Sequence, residues 1–380
     1  MIFSDPRGTD AVPPDLTGRS ELREAFLRTH GLADAVREPM PGDASTRAYV
    51  RLHPASRHTP LILMDAPPAA ESEAAPSDAT PSERIALGYN AVTRLAGGRV
   101  DAWAAVAAFL RARGLSAPAV LALDASQGFA VLEDLGSDLF RDRLEAGADP
   151  AEVYGQAVDL LVNLHAEAPP AILDVPGGGA WALPTYDALA LRMGLDLWLQ
   201  WWPPLARMAP PPPEALADWP DLWAPILARG ERGATVFTHR DYHAENLLWL
   251  PDRIGVGRVG LLDFQDAVCG HPAWDLVSLL QDARQDVAPA LEAAMLARYL
   301  AARPHMDAEA FRADYAALGA LNALRILGPV FARQITAFGR EKYRAFLPRM
   351  WRHLSRDLEH PDLAALKLWF DRYAPAEARA

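Results

Sequence analysis

Eight consecutive residues, His239-Arg240-Asp241-Tyr242-His243-Ala244-Glu245-Asn246, reproduce the pattern H-R-D-x-x-x-x-N. In that pattern the aspartate orients and deprotonates an attacking hydroxyl, and the asparagine holds a magnesium ion. The four intervening residues let Asp241 face one reactant while Asn246 turns back toward phosphates. A second segment, Leu261-Leu262-Asp263-Phe264-Gln265, uses apolar residues to set an aspartate at a strand end. A carboxylate there suits hard Mg²⁺ as a second metal ligand. Asp263 follows Asn246 by 17 residues, enough for a hairpin that returns one strand beside the other. Either segment alone is a weak signal. In this order and spacing they point to phosphoryl transfer.

The same residues admit other readings. His239, Asp241 and His243 alternate as the ligands of a metallohydrolase could. No further His-rich cluster completes that set, however, and Asn246 and Asp263 would be left idle. His239 is better expected to brace the loop as a buried imidazole. Gly255-Val256-Gly257-Arg258-Val259-Gly260 spells G-x-G-x-x-G, which binds dinucleotides only where it closes a strand and opens a helix. Here a strand, Leu261 to Phe264, comes next, so the expectation is a glycine-rich hairpin turn.

These groups need a scaffold, and 380 residues with 51% hydrophobic content can build two domains. Ahead of the motifs, Ser20 to Leu32 reads as a helix stopped by Gly31 and Arg47 to Leu52 as a strand. Further strands are expected at Leu61 to Met64, Ala119 to Leu123 and Gly128 to Leu132, with a helix from Trp103 to Arg113. Five β-rich pieces with helices between them thus fill the first ~135 residues. The Ala, Pro, Ser and Glu of residues 66–81 suggest a mobile surface insertion, and whether it acts as a lid is left open. Beyond Gly136 the pattern turns helical, at Val153 to His165, at Leu189 to Trp202 and from Trp274 to Tyr373. Pro210 to Pro213 must be loop, and short strands flank the motifs at 236–249 and 259–264.

Net charge is −12, which disfavours a nucleic-acid partner, since phosphate-backbone binding needs a basic face. A single cysteine, Cys269, excludes an intramolecular disulfide and any multi-cysteine metal cluster. With no signal-peptide pattern in the first 20 residues and no run of ~18 apolar residues, a soluble cytoplasmic protein without membrane partners is expected. Oligomeric state is not legible.

The chain resembles the aminoglycoside phosphotransferase-like kinases, and within them the anomeric N-acetylmuramate/N-acetylglucosamine kinases of cell-wall recycling. The resemblance rests on Gly42-Asp43-Ala44-Ser45, Leu63-Met64-Asp65-Ala66-Pro67-Pro68, Leu132-Glu133-Asp134-Leu135-Gly136, both motif segments, and Trp274-Asp275-Leu276 with Asp282-Ala283-Arg284. It implies an α+β, bilobal protein-kinase-like fold, with a small β-rich N-lobe over 1–134 and a larger, mainly helical C-lobe over 135–380. It also implies ATP and Mg²⁺, and phosphorylation of a sugar at its anomeric hydroxyl to give the 1-phosphate. In that frame Asp241 is the base, while Asn246 and Asp263 hold the metal. Ser45, Thr46 and Arg47 belong to the turn over the nucleotide phosphates, and Glu133, Asp134 and Leu135 form the hinge that meets adenine. Asp275 is expected to be a brace for the catalytic loop.

One departure stands out. Where kinases place a strand lysine on the phosphates, this chain has Met64, and its two lysines, Lys342 and Lys367, both lie outside the first lobe. Arg47 is the candidate replacement, although a merely exposed arginine would read the same way. For the sugar, Trp198 and Trp202 share a helix face and could stack on a ring, although such stripes more often pack a core. Arg192, His243 and Asp266 are further candidate sugar ligands. Two alternatives remain at this stage. An aminoglycoside or other amino-alcohol kinase could use Asp266, Asp282 and Asp286, and a silent nucleotide-binding scaffold would tolerate the missing lysine.

Overall fold

The computed structural model describes residues 16–41, 46–68 and 72–379. They divide into two compact units: those within 1–139, 170–184 and 246–267 form the first, and those within 140–169, 185–245 and 268–380 the second. The first unit carries the Asn246 and Asp263 positions, and the second carries Asp241.

In the first unit, β1 (Val36–Pro39), β2 (Ala48–His53), β3 (Leu61–Asp65), β4 (Val120–Asp124) and β5 (Phe129–Glu133) form an antiparallel sheet in the order β1-β2-β3-β5-β4. Phe26 and Leu27 of α1 (Leu16–Thr29) join Leu52, Leu61, Leu63, Phe129 and Val131 in its core. β3 is buried at every position, which is why it reads as a continuous apolar run and not as an alternation. Four of the five strands fall where the sequence places them. β1, exposed throughout, lacks an apolar pattern to announce it. α2 (Pro81–Leu87) starts on a Thr80/Glu83 capping box, and α3 (Tyr89–Thr93) and α4 (Val100–Ala112) follow. Residues 72–79 of the insertion are irregular, and Asn90 Nδ2 donates to Ser72 O at 2.8 Å. Two short hairpins complete the unit. One joins β6 (Ile172–Asp174) to β7 (Ala180–Ala182). The other joins β9 (Leu247–Trp249) to β10 (Val259–Leu261), and Gly255–Arg258 forms a 3₁₀ turn within the connection, so the glycine-rich stretch is a turn as expected.

The second unit is helical. It contains α5 (Phe140–Glu145), α6 (Pro150–Leu164), α7 (Ala188–Ala206), α8 (Pro213–Arg232), α9 (Ala273–Leu280), α10 (Pro289–Ala301), α11 (Ala308–Arg325), α12 (Arg333–Phe338), α13 (Leu347–Asp357) and α14 (Ala364–Tyr373). A π-turn at Ile326–Ala332 joins α11 to α12. Among its described residues one strand pair interrupts them: β8 (Val236–Thr238) runs antiparallel to β11 (Val268–Gly270). The continuous helix Ala308–Phe338 is long and apolar enough to cross a membrane, but 83% of its apolar window is buried, so it reads as a core helix. Its π-turn meets α7 backbone to backbone. A Cβ at Gly328 would lie 2.5 Å from Trp198 Cα, so only glycine allows this crossing.

Two buried histidines give this unit a pH signature. His165, whose Nδ1 lies 2.9 Å from the Tyr299 hydroxyl, is pushed down to about 3 by burial, with Arg303 and His271 adding to the shift. Burial likewise takes His353 down to about 4, with Arg356, Arg352 and Arg349 contributing. Both rings are neutral in the folded protein, whereas an unfolded histidine protonates near pH ~6.5. Their stabilising contribution is therefore present above pH ~6.5 and is lost progressively as pH falls toward 4 and then 3. NMR of ring-labelled histidine is expected to show both imidazoles still neutral at pH ~5. Protonation of either ring at that pH in the folded protein would contradict it.

Candidate active site

The loop from His239 to Asn246 connects β8 to β9, and a buried acid shapes its first turn. Asp275 of α9, fully inaccessible, accepts the His239 N–H at 2.7 Å and the Arg240 N–H at 2.8 Å. On the following peptide, Arg240 O accepts from Trp274 Nε1 at 3.2 Å and Ser278 Oγ at 3.4 Å. This clamp holds Arg240 at φ +82°, a left-handed conformation that a non-glycine residue adopts only when its surroundings impose it. Burial pushes Asp275 up to about 7, against the pull of the two N–H groups, and the nearby Asp241 adds to the rise. Asp275 is thus the brace that the sequence suggested. His239 is also fully buried, edge-on to Tyr242 at 5.5 Å.

Asp241 follows the clamped peptide with its side chain 35% exposed. Burial works to raise its pKa, but Arg325, then Arg240, His243 and His239, overcome this and hold the carboxyl below the ordinary range. It is therefore ionised at neutral pH and able to accept a proton. Arg325 Nη2 stands 3.6 Å from Asp241 Oδ1. Downstream, Glu245 is gripped by Arg141 at 3.0 Å and Arg284 at 2.9 Å, and the Ala244 N–H points to Asp282 at 3.4 Å. Asp286 faces Arg349 and Arg352 at 3.4 and 3.6 Å. The acids considered for a cationic acceptor are thus engaged with the protein itself.

In the first unit, β9 and β10 bring the two prospective metal ligands together. Leu247 pairs with Leu261, and the Leu262 N–H donates to Asn246 O at 3.0 Å, so Asn246 and Leu262 sit side by side and Asp263 follows. Asp263 adopts φ +58°, and its carboxylate is 47% exposed. An amide oxygen and a carboxylate form a hard, oxygen-only donor pair that suits Mg²⁺, whose remaining positions go to water and phosphate. Among the described residues no three His, Cys, Asp or Glu side chains gather as a metal site, so the His239–Asp241–His243 triad is not one.

Arg47, the residue before β2, is nearly buried, at 10% side-chain exposure, and places Nη1 3.3 Å from Asp263 Oδ1. Tyr49 also hydrogen-bonds it. Met64, the register partner of Tyr49, is completely inaccessible, so β3 offers no cation at the usual lysine position. Thr46 is exposed, and Ser45 lies outside the described residues. The acidic side chains of the expected hinge are committed to the protein. Glu133 binds Arg253 at 2.8 Å and Arg111 at 3.0 Å, while Asp134 accepts from Arg51 at 2.6 Å and from the Gly136 N–H at 2.8 Å. Leu135 is half-buried.

The candidate sugar ligands are scattered. Trp198 and Trp202 are inaccessible: Trp198 stacks on Trp219 at 5.8 Å, and Trp202 packs on Trp351 at 5.0 Å and donates to Ala378 O. Their stripe builds core. Arg192 pairs with Asp196 one turn along α7 at 3.1 Å. Asp266 accepts the Ala96 N–H at 2.7 Å and Gln265 Nε2 at 3.2 Å, which ties it to the segment before α4. His243 is half-buried beside Asp241 on the loop. Arg325 escaped the sequence reading altogether, since it belongs to no motif.

A β-rich unit and a helical unit, with these loops, define a protein-kinase-like fold of small-molecule phosphotransferase type. Two solved structures share it: the GDP complex of an aminoglycoside 2′-phosphotransferase-IIIa variant (TM-score 0.55, 11% identity, 90% of this chain and 99% of that one) and Plasmodium vivax ethanolamine kinase (TM-score 0.51, 11% identity, 87% and 84%). At such identity they speak for the fold alone. Residues 36–312 match the phosphotransferase enzyme family, and the chain belongs to that family. It is similar to the N-acetylmuramate/N-acetylglucosamine kinase of Caulobacter vibrioides, at 54% identity over 95% of this chain and 98% of that protein. The protein of the same name from Pseudomonas aeruginosa is 29% identical over 86% of each chain.

Proposed function

We propose that this protein is an ATP- and Mg²⁺-dependent kinase that phosphorylates the anomeric hydroxyl of N-acetylmuramate and N-acetylglucosamine to the sugar 1-phosphate, in the cytoplasm, as part of peptidoglycan recycling. The single observation that carries the reading is the 54% identity, over nearly full length on both sides, to a kinase of that name. The anomeric hydroxyl is the most acidic alcohol of a reducing sugar, which suits a carboxylate whose own pKa is low. Asp241 takes the hydroxyl proton as the sugar oxygen attacks the γ-phosphorus, and the bond to the bridging oxygen of ADP breaks in line. Asn246 and Asp263 would hold Mg²⁺, which neutralises phosphate charge when bound. Glu133 to Leu135 meet adenine through their main chain. The test is ³¹P NMR with Mg-ATP and each sugar: a new phosphate resonance coupled to the C1 proton is expected. A phosphate on kanamycin alone would move the protein to antibiotic chemistry.

Arg47 supplies part of the charge that the absent strand lysine would provide. Its guanidinium already lies against Asp263, where the nucleotide phosphates are expected. Arg47→Ala is expected to raise the KM for ATP about 10-fold, the value of one charge-assisted contact, with a smaller change in kcat. An unchanged KM would end this assignment.

A further inference from the structure

Arg325 closes α11, where the π-turn begins, and it is held on three sides. Its stem lies where a Cβ on Gly194 would come within 2.9 Å of its Cβ and Cγ, so α7 packs directly on it. Nε donates to Asn322 Oδ1 at 3.0 Å, and the guanidinium lies 5.7 Å from the Trp274 ring centroid. Only 20% of the side chain is exposed. Nη2 stands 3.6 Å from Asp241 Oδ1, longer than a hydrogen bond. The N–H groups of Nη1 and Nη2 therefore have no acceptor at hydrogen-bond distance among the described residues. A partly buried fork whose terminal donors lack an acceptor at hydrogen-bond distance, beside Asp241, can receive an oxygen of the acceptor.

We infer that Arg325 is a specificity-determining residue that donates to the acetamido carbonyl of the sugar and repels a free amine at the same carbon. The inference rests on the proposed sugar-kinase reading. In both proposed substrates the acetamido group sits on the carbon next to the anomeric carbon. When the anomeric hydroxyl lies on Asp241, the carbonyl oxygen on the adjacent carbon comes within reach of a donor 3.6 Å away, and, unlike the ring oxygen, it is absent from glucose and glucosamine. An ammonium there would meet a fixed positive charge in a partly desolvated site, which costs affinity directly. The same charge disfavours the polycationic aminoglycosides, a class the fold itself does not exclude.

The experiment compares kcat/KM, or Ki where turnover is absent, for N-acetylglucosamine, N-acetylmuramate, glucosamine and glucose. It uses the wild type, Arg325→Met and Arg325→Lys. The Met variant is expected to lose about 10–100-fold more on both N-acetyl sugars than on glucose, whose fall reports only the loss of charge beside Asp241, and glucosamine is expected to gain relative to glucose. The Lys variant keeps the repulsion of glucosamine but loses part of the acetamido preference, and it decides the matter should the Met variant not fold. An equal fall for every acceptor would make Arg325 a support for Asp241 only and overturn the inference. A loss confined to N-acetylmuramate would overturn it too, since the arginine would then read the lactyl carboxylate. Absence of turnover of either N-acetyl sugar by the wild type would refute the function itself, and the inference with it.

Discussion

Asp241→Asn is expected to lower kcat by about 10²–10⁴-fold while leaving the KM for ATP within about 3-fold of wild type. The amide is isosteric and can still hydrogen-bond the acceptor hydroxyl, so substrate orientation survives and proton acceptance does not. The size of the effect follows from the electrostatics around the carboxylate. Arg325, Arg240, His243 and His239 together outweigh burial and keep it ionised. An ionised carboxylate 3.6 Å from a guanidinium is a modest base, so the loss falls within the usual span for general-base removal and not beyond it. Stopped-time ³¹P assays with matched melting curves measure it. Retention of more than about a tenth of wild-type kcat would remove Asp241 from the base role.

Asp275→Ala acts at a distance from the reactants and is expected to cost both stability and rate. Its carboxylate accepts two buried backbone N–H groups, so truncation leaves both unsatisfied, at about 1–3 kcal/mol each. The left-handed turn at Arg240 loses half of its clamp, and the residue after it is Asp241. A fall in kcat of about 10²-fold is expected where the enzyme still folds, with nucleotide affinity changed little. Asp275→Asn separates the two effects. One amide oxygen can keep one of the two bonds, so stability recovers in part, while the mispaired NH₂ still displaces the loop. Urea denaturation and nucleotide titration check both variants, and wild-type kcat in Asp275→Asn would show that the clamp is not what positions Asp241.

The contrast between these two residues shows what could be read in advance. Asp241, Asn246 and Asp263 stood out as candidates because phosphoryl transfer demands particular residue types at short chain separations. A loop and one hairpin hold those separations whatever the rest of the molecule does. The buried strands β3 and β5 were legible for a related reason, since full burial selects apolar runs that few other elements share. The edge strand β1 and the hairpin β6–β7 were not: short strands with exposed positions carry no such constraint. Helix α8 was hidden too, because its interior prolines Pro220 and Pro225 break the helical pattern that its buried tryptophans would otherwise show.

Side-chain fate was the harder question. Trp198 and Trp202 present the same i, i+4 stripe whether they meet a sugar or a core, and only the arrival of Trp219, Trp351, Trp369 and Phe370 from three other helices made them core. Asp266 had the composition of a substrate ligand until the Ala96 N–H claimed it. Arg325 lies 84 residues beyond Asp241, on a helix with no motif, and nothing local distinguishes it from the other arginines. Chemistry that resides in neighbouring residues is written in residue type and spacing, so the sequence alone established the reaction class and the three residues proposed to carry it. Chemistry that depends on two distant segments meeting is written in packing. Only the tertiary structure could therefore decide which aromatic residues fill the core and which arginine faces Asp241.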